Sequence, residues 1–116
     1  MFLQSVDMFS TDEQREEWMP KVLSHNILGC YTQTELGHGS NVAGLETTAT
    51  FDIEKDEFVI HTPNLTSTKW WPGEMGRYSN FALIMAKLVI DGNEYGIAPF
   101  LVQIRDLKTH KWMPGV

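Results

Sequence analysis

Short hydrogen-bonding side chains and glycines are concentrated between Cys30 and Thr50, in the stretch CYTQTELGHGSNVAGLETTAT. Glycine is used where the backbone takes a positive φ or approaches something that a side chain would push away. The stretch contains neither Lys nor Arg, and its polar groups are mostly hydroxyls, amides and carboxylates. We therefore expect a loop that binds the neutral polar edge of a ligand.

The glycine spacing of this stretch matches no nucleotide-binding motif. Gly37, Gly39 and Gly44 do not fit GxGxxG, and no Lys follows them as in a P-loop. The sequence GHGSN also differs from GxSxG, so Ser40 is not predicted to be a hydrolase nucleophile. Residue types alone therefore tie the loop to no reaction.

Histidine and cysteine indicate neither a metal site nor a nucleophile. The four histidines show no paired spacing, and the single cysteine, Cys30, lies inside an apolar strand pattern without a nearby base. We interpret His38, between two glycines, as a surface loop residue rather than a general base. No metal ligand and no catalytic residue is predicted within this chain.

Composition narrows the class of protein. The 116 residues are 42% hydrophobic and carry a formal charge of −6, with Lys and Arg scattered singly, so we expect no nucleic-acid partner. The longest apolar run, Phe81 to Ile90, is interrupted by Lys87 and is too short for a membrane span. No secretory signal is recognisable, and we expect a soluble protein of a reducing compartment, present here as a piece of a longer chain.

Two helices are expected before residue 27. Capping boxes pair Ser10 with Glu13 and Thr11 with Gln14, and they predict that a helix begins there. Because Pro20 cannot donate to a helical carbonyl, we expect the helix to stop there or to restart as a short turn through Lys21 to Ser24. An earlier helix is indicated by apolar residues at helical spacing, namely Phe2, Leu3, Val6 and Phe9.

From residue 27 onward the hydrophobic period is two, which predicts strands. The predicted strands are Leu28 to Thr34, Glu46 to Asp52, Glu57 to Thr62, Leu65 to Trp70, Phe81 to Ile90 and Tyr95 to Ile104. Hairpin turns are expected at residues 54–56 and 91–93, and Pro63 and Pro99 indicate an edge or a bulge. The fold class is therefore mainly β, an antiparallel sandwich or barrel preceded by short helices.

Three strings together resemble one enzyme family. The stretch from Cys30 is similar to the CYxQTELGHGS…GLETTA segment of the acyl-CoA oxidases, and STKWWPGEMG (Ser67 to Gly76) and IRDLKTHKWMPG (Ile104 to Gly115) resemble two further segments of that family. The resemblance implies that residues 1–26 end an N-terminal helical domain. Residues 27–116 would then form most of the middle β-domain of the acyl-CoA dehydrogenase and oxidase fold.

The resemblance also implies a cofactor and contact residues. It places FAD against Thr34 and Gly73, with Gln33 and Trp71 beside it, and the acyl-CoA near Glu35, Gly39 and Ser40. Trp70 and Trp71 should point to opposite faces, so only one of them can face the flavin.

The expected activity is that of the family. The longer protein would oxidise a fatty acyl-CoA to the trans-2-enoyl-CoA, with molecular oxygen converted to hydrogen peroxide, in fatty-acid β-oxidation. The general-base glutamate is expected outside this chain, so that the segment alone would be inactive. A peroxisomal location and a homodimer are also implied by the resemblance.

Two alternatives remain from the sequence. An acyl-CoA dehydrogenase that uses an electron-transfer partner shares the fold, although its patterns TEPxAGS and WIT/SN differ from TELGHGS and KWWPG here. A non-catalytic β-barrel module would use its tryptophans and apolar strands only for packing.

Overall fold

The computed structural model describes all 116 residues of the chain. Its elements are α1 (Phe2–Phe9), α2 (Asp12–Leu23), β1 (Gly29–Thr32), a 3-10 turn (Val42–Gly44), β2 (Thr48–Asp52), β3 (Glu57–His61), β4 (Phe81–Ile90) and β5 (Asn93–Gln103). The chain divides into two compact units. The first comprises Met1–Tyr31, Pro72–Ile84 and Phe100–Val116, and the second comprises Thr32–Trp71 and Met85–Pro99.

Helix α2 begins with one of the two predicted capping boxes. The Thr11 hydroxyl accepts the Gln14 amide at 3.2 Å, and the Gln14 side-chain oxygen accepts the Thr11 amide at 3.0 Å. The alternative box at Ser10 is not formed, because Ser10 instead ends α1. Two free amides at the helix start are thereby satisfied.

The predicted stop or restart at Pro20 is not found, since α2 is one helix from Asp12 to Leu23 with Pro20 inside it. Pro20 is exposed, so water can satisfy the carbonyl that loses its helical donor there. Continuing the helix also buries Val22, which packs with Ile27 and Phe81 in the core of the first unit. The Trp18 ring meets the Phe81 ring edge-on, with 5.7 Å between centroids.

The five strands form a mixed sheet rather than the predicted antiparallel barrel. Their order is β1-β4-β2-β3, and β5 also pairs with β4. Strands β2 and β3 are antiparallel, but β2 and β4 are parallel, with Thr48 opposite Lys87 and Thr50 opposite Val89. Parallel neighbours cannot be joined by a tight turn, and here residues 53–80, which include the antiparallel strand β3, connect β2 to β4. The sheet does not close.

The expected strand from Leu65 to Trp70 is wrong. Residues 65–68 form a turn and a bend, with the Ser67 hydroxyl donating to the Asn64 carbonyl at 2.7 Å and accepting the Asn64 amide at 2.9 Å, and Lys69 makes only an isolated bridge to Glu35. Such local bonds compete with strand pairing. The other strands lie where predicted within two residues at each end, and β4 has the predicted bounds.

The hairpin between β4 and β5 is confirmed at Asp91 and Gly92. Both residues have positive φ, 50° and 76°, as a two-residue type I′ turn requires. Strand β5 pairs only with β4 and is therefore an edge strand, which explains how Pro99 is tolerated within it.

We expect Gly92→Ala to destabilise the protein by about 1–2 kcal/mol, because an L side chain at positive φ crowds the next carbonyl. Gly76→Ala is the matched control, since Gly76 has no positive φ and open space around its Cβ position. Thermal and urea unfolding of the two variants should separate them, and equal stabilities would contradict the turn assignment.

Candidate functional site

A buried carboxylate lies at the centre of the second unit. Glu35 is 1% exposed, and its Oε1 accepts the Thr47 amide at 2.9 Å and the Thr47 hydroxyl at 2.6 Å. Its Oε2 accepts the Glu46 amide at 2.8 Å. Because these amides bind a side chain, β2 begins only at Thr48 and not at Glu46 as predicted.

The charge of Glu35 is balanced by Lys69, whose side chain is 7% exposed. The Lys69 ammonium donates to Glu35 Oε1 at 3.2 Å and to the carbonyls of Gln33 at 3.0 Å and Met85 at 2.8 Å. An ammonium has three donors, so all of them are used. We call Glu35, Glu46, Thr47 and Lys69 the Glu35 node.

Backbone bonds extend the node into a short ladder. The Leu36 amide donates to the Thr68 carbonyl, and the Trp70 amide to the Thr34 carbonyl, at 2.8 and 3.0 Å. The Gly37 amide donates to the Thr66 carbonyl at 2.9 Å. A side chain at Gly37 would come within 2.9 Å of the Thr66 Cβ, so only glycine fits.

The hydrogen bonds at the node determine the protonation of Glu35. Burial alone raises the pKa of a carboxyl, but the Thr47 hydroxyl, the Glu46 and Thr47 amides and the Lys69 ammonium together hold the pKa of Glu35 below its ordinary value. Burial lowers the pKa of Lys69, and its bond to Glu35 opposes that shift. Glu35 is therefore ionised at neutral pH.

His38 is not the surface residue that we expected. Its side chain is 23% exposed, and both ring nitrogens are buried without a hydrogen-bond partner. Nε2 lies 3.6 Å from Glu35 Oε2. The turn from Glu35 to His38, closed by mutual backbone bonds at 3.2 Å, folds the ring toward the node.

The other predicted site residues are more accessible than Glu35. Gly39 and Ser40 are exposed, and Gln33 and Thr34 are half-buried. Trp70 and Trp71 are 59% and 87% exposed, so neither packs in the core of this chain. The ladder thus brings the segment from Gln33 together with the segment that leads to Trp71.

Gly73 lies in the first unit and is exposed. No atom lies within 4 Å of the position that a Cβ would take there. The backbone at Gly73 is therefore open to a ligand.

Sequence reasoning missed Lys69 and Thr47 as parts of the site. Lys69 lies 34 positions from Glu35, so no local spacing connects them. The one usable signal was a lysine directly before two aromatic residues, in a predicted strand where an unpaired charge would be costly.

Comparison with known proteins finds acyl-CoA oxidases that are similar to the chain along its length. No protein-family model matches it. It is 51% identical, over its full length, to the peroxisomal acyl-coenzyme A oxidase 1 of Arabidopsis thaliana, of which it covers 18%. The crystal structure of an acyl-CoA oxidase from tomato, Lycopersicon esculentum, matches 99% of the chain at 56% identity with a TM-score of 0.97. The chain is related to the acyl-CoA oxidases and corresponds to a segment of them.

A third similar acyl-CoA oxidase has been solved with bound ligands. Oxidase-2 of Caenorhabditis elegans, solved with FAD, ascaroside-CoA and ATP, matches 99% of this chain at 50% identity, with a TM-score of 0.96. The chain spans 18% of the length of the tomato oxidase and 17% of the C. elegans enzyme. Most of an acyl-CoA oxidase thus lies outside the segment described.

The residues of this segment fit a flavin. A flat conjugated ring needs hydrogen-bonding groups along its edge and a surface against its face. Trp71 offers an exposed ring, and Gly73 offers bare backbone. No group of three or more His, Cys, Asp or Glu side chains is arranged to hold a metal. Neither helix is long and apolar enough to cross a membrane.

We expect Glu35→Gln to destabilise the protein strongly, because it leaves Lys69 buried without a counter-charge; breaking such pairs costs about 3–5 kcal/mol. Amide exchange should rise most at Glu46 and Thr47, which donate to the carboxylate. Glu54→Gln is the control in the same unit, since the Glu54 side chain is exposed.

The stabilisation should also depend on pH with a defined sign. Because the folded pKa of Glu35 lies below the ordinary 4.5, its contribution is complete above pH 4.5 and is lost as pH falls through the lowered value. The stability difference between wild type and Glu35→Gln should therefore narrow in acid. A constant difference would show that the carboxylate charge is not the stabilising feature.

Proposed function

We propose that the chain is the flavin-side segment of an FAD-dependent acyl-CoA oxidase, with residues 1–26 ending a helical domain and residues 27–116 belonging to the middle β-domain. The observation that carries the proposal is the match to acyl-CoA oxidases along the whole chain, at 51% identity to one relative and 56% to a solved structure. The full-length protein would oxidise a fatty acyl-CoA to the trans-2-enoyl-CoA in β-oxidation, with oxygen as acceptor.

Thr34, Gln33 and Trp71 are the proposed flavin contacts in the second unit, and Gly73 is the proposed contact in the first. The Trp70 amide fixes the Thr34 carbonyl, and the Lys69 ammonium fixes that of Gln33. The backbone from which both side chains project is therefore set before any ligand binds. Such preorganisation lowers the entropy cost of binding.

Gly39 and Ser40 are the proposed acyl-CoA contacts, since both are exposed on the loop that follows the node. Glu35 was predicted beside them, but its carboxylate is buried and bonded to four protein donors. We therefore propose that Glu35 holds the loop in place and that the substrate is bound by its neighbours.

FAD held by Thr34, Gln33, Trp71 and Gly73 would supply the acceptor for the hydride of the substrate β-carbon and the electrons that reduce oxygen to hydrogen peroxide. The general base that removes the α-proton is proposed to lie outside this segment. His38 is not a substitute for it, because both of its ring nitrogens are buried beside Glu35. In the full-length protein the segment would accordingly help to bind and orient FAD and the acyl-CoA. By itself it would be inactive.

The names of two relatives support a peroxisomal location for the full-length protein. The Arabidopsis relative is named peroxisomal, as is a human oxidase that is 45% identical to the chain. We propose a peroxisomal location and a homodimer for the full-length protein.

The purified full-length protein should show a flavin absorption band that bleaches on anaerobic addition of a fatty acyl-CoA. Admission of air should restore the band and form hydrogen peroxide, because oxygen is the proposed acceptor. A palmitoyl-CoA analogue without the thioester carbonyl is the matched control, since its α-proton is not acidic and the band should persist.

Other outcomes identify the alternatives. Bleaching that returns slowly without peroxide would indicate an acyl-CoA dehydrogenase. A well-folded full-length protein without flavin that also fails to bind added FAD would contradict both enzymes and leave a packing module.

A further inference from the structure

The third string of the sequence, from Ile104 to Gly115, has no part in the proposed function so far. In the first unit it folds back on itself, with the Asp106 amide donating to the Lys111 carbonyl at 2.9 Å and the Met113 amide to the Ile104 carbonyl at 3.0 Å. The Asp106 carboxylate caps the turn by accepting the Thr109 amide and hydroxyl, each at 2.7 Å. These bonds hold His110 at a φ of 58°.

Arg105 in this string is a buried cation that is held by carbonyls. It is 6% exposed, and its guanidinium donates to the carbonyls of Met75, Ser79 and His110 at 3.1, 3.2 and 3.3 Å. The guanidinium stacks 3.4 Å from the centroid of the Trp112 ring. Unlike Lys69, it has no carboxylate partner. Its contacts therefore determine geometry rather than neutralise a charge.

His110 holds a third carbonyl of the same loop. Its Nε2 lies 2.7 Å from the Arg77 carbonyl oxygen. A carbonyl has no proton to donate, so Nε2 must carry the proton. The carbonyls of Met75, Arg77 and Ser79 are thus all fixed by side chains of the third string.

The loop that accepts these hydrogen bonds begins at Gly73, whose backbone is exposed. Residues 73–79 turn on Glu74, whose φ is 65° and whose carbonyl accepts the amides of Arg77, Tyr78 and Ser79 at 3.0–3.1 Å. At its C-terminal end the loop is anchored by the buried Ser79 and by Asn80, whose amide donates to the Leu28 carbonyl at 2.8 Å. The bonds from Arg105 and His110 hold the carbonyls of Met75 and Arg77, which lie between this anchor and Gly73.

We infer that Arg105 and His110 are positioning residues that set the backbone of residues 73–79, and through it the flavin contact at Gly73. This inference rests on the proposed function for the contact itself. A lysine should not replace Arg105, because Arg105 reaches the three carbonyls from three different nitrogens of a planar group, whereas a lysine would offer its donors from a single nitrogen.

The test compares four variants of the full-length protein. Arg105→Lys and His110→Leu remove the bonds to the loop. His110→Gln keeps a side-chain N–H for the Arg77 carbonyl, and Lys108→Gln changes an exposed charge in the same turn. Amide hydrogen exchange of residues 74–80 measures how firmly the loop is held. FAD titration and the absorption spectrum of the bound flavin report on the proposed contact at Gly73. Exchange of β4 amides reports whether each variant is folded.

Arg105→Lys and His110→Leu should exchange faster in the loop, bind FAD about tenfold more weakly and shift the flavin band. His110→Gln and Lys108→Gln should resemble wild type. If Arg105→Lys does not fold, His110→Leu carries the test, because it removes a single bond. If Arg105→Lys and His110→Leu both keep the wild-type amide exchange, FAD affinity and flavin band, the positioning role of Arg105 and His110 would be overturned. The proposed function would not be affected by that result. Wild type without flavin would overturn the proposed function and the flavin role of the loop together.

Discussion

The buried ion pair between Glu35 and Lys69 is the constraint on which the second unit depends. A carboxylate and an ammonium removed from water are tolerated only when every lone pair and proton finds a partner. Here the carboxylate collects two backbone amides and a hydroxyl, and the ammonium collects two carbonyls, so that the demand for partners dictates the path of four chain segments. The delayed start of β2 and the ladder between residues 33–37 and 66–70 both follow from it.

The first unit also contains a buried charged side chain whose donors are satisfied by backbone carbonyls. Arg105 is buried, and it fixes carbonyls in place of a carboxylate. In each unit, a buried charged side chain is hydrogen-bonded close to an exposed residue that we propose to contact the flavin. Lys69 lies next to the segment of Trp71, and Arg105 bonds the loop that begins at Gly73. This separation explains why Trp71 and Gly73 can remain open while their backbone is fixed. A binding surface made by apolar packing alone would be less precisely oriented.

Local signals in the sequence predicted much of the fold. The capping box at Thr11, the Asp91-Gly92 turn and the long apolar strand β4 are set by neighbouring residues, and all three were predicted correctly. The errors had different causes. Ser67 closes a local turn with Asn64 in a segment with strand-like composition, whereas the parallel pairing of β2 with β4 joins residues far apart in the sequence, such as Thr48 and Lys87. The burial of Glu35 against Lys69 was also not predicted, because the two residues lie 34 positions apart.

We propose that Gln33, Thr34 and Trp71 contact the flavin while the buried Glu35 carboxylate holds their backbone in place. A crystal structure of the full-length protein with bound FAD would show both features at once. We expect flavin atoms within about 4 Å of Thr34 and Trp71, with the Glu35 carboxylate still bonded to Thr47 and Lys69. A flavin bound away from both residues, or a Glu35 carboxylate turned out to touch the ligand, would contradict it.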